Sequence, residues 1–202
     1  MQGGLAPDIR LMTGASGGMF GLSYFRELHA RDLELAAPRR FDSVYLNNIS
    51  KDLLNRIGFR YFTDVFLPNL KVKIDGRTYD KETGYAFDQQ VQMNVPEGDG
   101  RTIGDYANAE RAGKISQMII TPTILNQGKK LFISATPVSY LAKPRSITDF
   151  YTTKSRGIEF SWFFKDHQPQ DLRLATALRM NATFPFILPM VELPSDPAMV
   201  VI

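Results

Sequence analysis

Ser16 stands in the run Gly14-Ala15-Ser16-Gly17-Gly18, a G-x-S-x-G arrangement. A serine with glycines two positions before and two after it fits a turn too tight for neighbouring Cβ atoms. Such a turn, between a strand and a helix, holds the hydroxyl above a sheet edge on a strained backbone. The chemistry it serves is acyl transfer. The hydroxyl attacks a carbonyl, and free N–H groups at the helix start, Gly17 first among them, receive the developing oxyanion. The same glycines also fit two plainer uses: a turn that permits close packing, or a cradle for a phosphate. An apolar strand before Ser16 and a helix-like pattern after it favour the nucleophile.

A nucleophilic serine needs a base, and the chain has two histidines, His29 and His167. His29 falls thirteen residues past Ser16 on the predicted helix. At ~1.5 Å per residue it is about 20 Å away, out of reach. His167, in "FFKDHQPQD", lies in a polar loop; an α/β-hydrolase order of Ser16, Asp149 and His167 is an alternative reading. There is no cysteine, so thiol nucleophiles, disulfides and zinc ribbons are excluded. No metal or organic cofactor is expected.

The elements that must hold Ser16 follow from periodicity. "DIRLMTGAS" predicts a buried strand. Residues 17 to about 33 predict a helix with Met19, Leu22, Phe25 and Leu28 on the core stripe and Arg26, Glu27, Arg31 and Asp32 on the other side. Pro38 ends it. Residues 41–71 read as largely helical, with Ser50 as an N-cap of its second part. Residues 72–100, rich in turn signals, read as an irregular insertion. A short helix over 102–113 takes Thr102 as cap. "SQMIITPTIL" and "KKLFISATPVSYL" predict a hairpin about "NQG", with Gly128 left-handed. "GIEFSWFF" reads as a strand and "QDLRLATALRMNATF" as a helix. "AMVVI" reads as a central strand buried on both faces. Alternating strands and helices predict an α/β sandwich with a mostly parallel sheet.

Composition sets bounds. With 44% hydrophobic and 22% charged residues the chain is globular rather than disordered. Its net charge of +3 is spread without a basic run, so nucleic acid is not an expected partner. No apolar run of about 18 residues predicts a membrane span, and "MQGGLAPDIR" does not read as a secretory leader.

"GASGG" after a strand, then "ALRMNATFPFILPMVEL" and a closing apolar strand, resembles patatin-like phospholipases. In that family a stretch of the form A-x-x-A-S-x-x-F-P-x-x-F-P-P precedes the strand that carries the catalytic aspartate. Residues 177–191 match it in the small residues, Phe184-Pro185, Ile187 and Pro189. "SQMIITPTILNQGKKLFIS" resembles the family's central strand pair. The resemblance implies a three-layer α/β sandwich with a mostly parallel central sheet. It implies Ser16 as nucleophile, Gly14 and Gly18 as elbow glycines and the Gly17 N–H as oxyanion donor. Its base would be an aspartate in a D-G-G or D-G-A motif directly after the last strand, which places it beyond Ile202. Residues 1–202 are then expected to be a single, partial patatin-like domain lacking the family's glycine-rich oxyanion loop and aspartate motif, and to be inactive alone. The implied substrate is a lipid or lysolipid ester. Peripheral membrane contact and a cytoplasmic or membrane-associated setting go with it.

Asp80, Asp149 and Asp196 are internal alternatives for the base, but each reads as a turn or loop residue. A non-catalytic lipid-surface or interaction module on the same fold is the other reading. "FRYFTDVFLP" and "FSWFF" would supply its apolar patch.

Overall fold

The computed structural model of the chain describes residues 8–32, 39–51, 71–74, 77–80, 100–142, 148, 156–184 and 188–202. Strand β1 (Leu11–Gly14) leads through Ala15 and Ser16 into helix α1 (Gly17–Asp32), and α2 (Arg39–Ile49) follows. Strands β2 (Lys71–Ile74) and β3 (Arg77–Asp80) form a hairpin. A 3-10 turn at Gly104–Tyr106 runs into α3 (Ala107–Arg111). Then come β4 (Gln117–Ile120), β5 (Thr123–Ile124), β6 (Lys129–Phe132), α4 (Ser139–Ala142), β7 (Gly157–Glu159), α5 (Phe160–Phe163), α6 (Leu174–Ala182), β8 (Val191–Leu193) and β9 (Met199–Val201).

β1 pairs with β4 in parallel, and a five-stranded sheet has the order β7-β6-β5-β9-β8. The class is mixed helix and strand, as predicted, but the direction of the sheet differs. Among the described pairs only β1 with β4 and β6 with β7 are parallel, and the other four are antiparallel. The cause is local. The turn at Gly128, which takes φ +60°, folds β6 back on β5, and a second tight turn about Asp196 folds β9 back on β8.

β4 and β5 are one long strand interrupted at Thr121-Pro122. Ile120 exchanges both backbone hydrogen bonds with Ile133 at 2.9 Å, and the Leu131 N–H donates to the Pro122 carbonyl at 2.9 Å. The same register continues through Thr123 with Lys130 and Ile124 with Lys129. Pro122 faces β6 and has no N–H to return the bond from Leu131, so the pair keeps one hydrogen bond of two and the strand is interrupted there.

The core forms where Met19 of α1 and Leu174, Ala177, Leu178 and Met180 of α6 meet Met118, Ile120, Ile124, Leu131, Ile133, Met199 and Val201 of the strands. β9 is central, between β5 and β8, and Met199 and Val201 are fully buried. Burying such side chains contributes roughly 1.5–3 kcal/mol each relative to leaving them exposed.

Several expectations are corrected. Arg26 and Glu27 are buried rather than solvated, because α1 is covered on both flanks and each group finds a polar partner. Only Gly157–Glu159 of "GIEFSWFF" is strand; a helical turn begins at Phe160. Lys71–Ile74 and Arg77–Asp80 pair as antiparallel strands, where residues 72–100 were expected to be irregular. Thr102 does not cap its helix with its side chain. Instead its N–H donates to Asp105 Oδ2 at 2.8 Å. Ser50 closes α2, its N–H on the Leu46 carbonyl at 3.0 Å; the helix expected to follow it lies outside the described residues, as do Asp149, "FRYFTDVFLP" and Pro185 to Ile187.

Candidate active site

The elbow is built as its residue types require. β1 ends at Gly14, where an added Cβ would lie 3.2 Å from Leu22 Cδ1 and 3.4 Å from Met19 Sδ. Strand and helix approach closely there, and a side chain at that position would press on Leu22 by a few tenths of an ångström. Ser16 has φ 50°, the left-handed region, and is one of two non-glycine residues with positive φ among those described. That conformation costs of order 1–3 kcal/mol for a residue with a Cβ. Ser16 is exposed, as are Ala15, Gly17 and Gly18. Gly18 differs from the sequence reading: an added Cβ there meets nothing within 4 Å among the described residues. Space above the elbow, not relief of a clash, is what glycine leaves at that position.

The turn's hydrogen bonds leave one donor over. Gly18 N–H donates to the Ala15 carbonyl at 3.1 Å and Met19 N–H to the Ser16 carbonyl at 3.0 Å. Ser16 N–H donates to the Asn181 carbonyl at 3.3 Å. The Gly17 N–H has no partner among the described residues. It sits at the first turn of a 16-residue helix, where the backbone dipole favours negative charge. An oxyanion formed beside Ser16 would find that donor already oriented.

The strands place the tail of the chain relative to the elbow. Backbone groups along a strand face alternate edges. Gln117 donates to Arg10 at 3.0 Å, Leu125 to Val200 at 2.8 Å and Thr123 to Ile202 at 2.6 Å, all from one edge of the β4–β5 strand. Ile120 and Pro122 face β6 on the other. β1 and β9 thus share an edge and run toward each other along it. Gly14 is level with Ile120 and Ile202 with Thr123, so two residue positions separate them, about 10 Å along the strand at ~3.3 Å per residue.

The other sequence-predicted residues do not assemble with Ser16. His29 is partly buried on α1 and stacks on Phe25 with ring centroids 6.2 Å apart. His167 is exposed in a 3-10 turn, its ring edge against Phe164. Asp80 ends β3, level with Lys71, and Asp196 is exposed in the β8–β9 turn. Among the described residues no side chain hydrogen-bonds the Ser16 hydroxyl, and none form a group of three that could hold a metal ion. No helix among them is long and apolar enough to cross a membrane. "FSWFF" belongs to the core: Phe160 and Phe164 are buried, with Trp162 and Phe163 packed alongside. It supplies no apolar surface patch.

Sequence reading missed Asn181. Its one signal was an amide, a poor helix former, in the last turn of a largely apolar helix.

Behind the elbow α1 is anchored by a buried polar cluster. Arg26 Nη1 donates to Glu110 Oε1 at 2.6 Å, with both side chains almost fully buried. Glu110 also accepts the Met118 N–H at 3.2 Å and the Thr136 hydroxyl at 2.9 Å. The Tyr106 hydroxyl donates to Glu27 Oε2 at 2.8 Å, and the Arg26 guanidinium lies 4.2 Å from the Tyr106 ring centroid. Burial, and then the Glu27 charge, push the Tyr106 phenol well above its usual range. Burial lowers the Arg26 pKa, and the Glu110 charge works against that.

Comparison with family models gives no match, and no curated protein or solved structure is detectably similar to the chain.

Proposed function

We propose that this chain carries the nucleophile of a patatin-type serine acyl hydrolase acting on lipid or lysolipid esters, on a three-layer version of the mixed fold described above. The observation that carries the reading is the left-handed backbone of exposed Ser16 at a strand-to-helix junction. A β-region or helical φ would serve a packing turn equally well. Strain of this kind persists where the surrounding structure enforces it, and active sites are where it collects.

In the proposed reaction Ser16 Oγ attacks the ester carbonyl carbon while a carboxylate takes its proton. The Gly17 N–H holds the oxyanion of the tetrahedral intermediate. The alcohol leaves with that proton, and water then cleaves the acyl-serine with the carboxylate as base. The carboxylate is an aspartate following Ile202. A chain continuing along β9 enters the positions level with Pro122 and Thr121, the two that separate it from Gly14.

The test is a fluorophosphonate probe on a protein extending past Ile202. Labelling that disappears in Ser16→Ala supports the reading, and an unlabelled wild type rejects it. Residues 1–202 alone should show little ester turnover. Robust turnover from them, abolished by Ser16→Ala, would place the base inside this chain.

A further inference from the structure

We infer that Asn181 is a positioning residue for Ser16, holding both sides of the elbow from the end of α6; its catalytic consequence rests on the proposed role of Ser16. The Asn181 carbonyl accepts the Ser16 N–H at 3.3 Å, and its side-chain Nδ2 donates to the Gly14 carbonyl at 3.3 Å. One residue thus grips the chain two positions before the left-handed residue and at that residue itself.

Both contacts have a local reason. Asn181 lies in the last turn of α6, where carbonyls have no partner within the helix, so its C=O is available to the elbow. The Gly14 carbonyl is what the next rung of the parallel ladder would use: Gln117 N–H donates to Arg10 O, and the same step carried forward puts Thr121 N–H on Gly14 O. That bond is not made, and Thr121 N–H has no partner among the described residues. Asn181 takes the carbonyl instead. Withdrawing Gly14 from the ladder frees the chain to turn out of the sheet at Ala15 and Ser16. An amide suits the task because it donates through its side chain, while a carboxylate of the same shape repels a carbonyl oxygen.

The experiment is backbone amide hydrogen exchange by NMR with Asn181→Asp. In the wild type the Ser16 amide should exchange at least about tenfold more slowly than the Gly17 amide, after correction for intrinsic rates. Equal protection overturns the inference. In Asn181→Asp the protection of Ser16 should fall about tenfold at neutral pH and return as the pH is lowered through the range where the carboxyl regains a proton and can donate again. A merely space-filling residue would give no such recovery. Unchanged protection at neutral pH overturns the inference. If Asn181→Asp fails to fold, Asn181→Leu should show the same loss without recovery, and retained protection counts against the clamp. Fluorophosphonate labelling of the same proteins separates the two readings. Labelling slowed about tenfold or more in the variants, at near-wild-type melting temperature, supports a positioning role. An unlabelled wild type with the predicted exchange pattern retains the clamp and rejects the nucleophile.

Discussion

At its N-terminus α1 emerges from Ser16, which is exposed, held at φ 50° and has no hydrogen bond to its hydroxyl among the described residues. Ten residues further along, Arg26 and Glu27 of the same helix are 2% and 5% exposed, and each is tied to a side chain from α3 or the turn before it. One end is open and strained, the other closed and paired. The contrast shows how a small domain keeps a strained turn in place. The helix behind the turn is fixed by charged hydrogen bonds that are costly to break singly, so the elbow cannot relax by sliding α1 along the sheet.

The strongest way to break that contrast is to open the closed end. Glu110→Ala leaves the Arg26 guanidinium buried without its carboxylate, and should cost about 3–5 kcal/mol in denaturant unfolding. Replacing both residues by apolar side chains of similar volume should recover most of that loss; a double variant no better than the single would mean that Glu110 acts through Thr136 and Met118 N–H rather than through the ion pair.

A smaller effect is expected from Tyr106→Phe, which removes the bond to Glu27 and should cost about 1–2 kcal/mol. It also sharpens the comparison through pH. The folded phenol holds its proton above the pH at which an unfolded tyrosine ionises, about 10. The stabilisation is therefore complete below about pH 10 and lost as the pH rises beyond it. Unfolding measured between pH 9 and 11 should show the wild type losing stability more steeply than Tyr106→Phe. Parallel curves would remove Tyr106 as the cause.

The smallest effect lies at the open end and has the opposite sign. Ser16→Gly relieves the left-handed strain and should leave stability unchanged or raise it by about 1 kcal/mol, while abolishing any labelling by a serine-directed probe. A loss of stability would mean that the serine side chain holds the turn, contrary to a nucleophile kept for chemistry.

The elbow was legible because it is local: a strand, a glycine-bounded serine and an amphipathic helix follow one another within about 20 residues. Gly128 and its hairpin were legible for the same reason. Arg26 and Glu27 were not. A polar face on a helix reads as a solvated face, and nothing near them in the chain announces that Glu110 and Tyr106, some eighty residues away, will cover it. "GIEFSWFF" misled because aromatic residues favour strands, whereas packing against the core turned Phe160–Phe163 into a helical turn. The direction of the sheet was hidden because it depends on how β9 pairs with β5 across 77 residues. Asn181 was hidden likewise, since its contacts reach 167 residues back to Gly14.

β1 and β9 advance toward each other along a single rail, one edge of the long β4–β5 strand, with two positions between their tips. A strand in that situation has no sheet left to enter. It must leave the plane upward or downward within a residue or two, and Ser16 is the point of departure. The left-handed dihedral at that serine stands where β1 gives up the edge that β9 takes from the other direction.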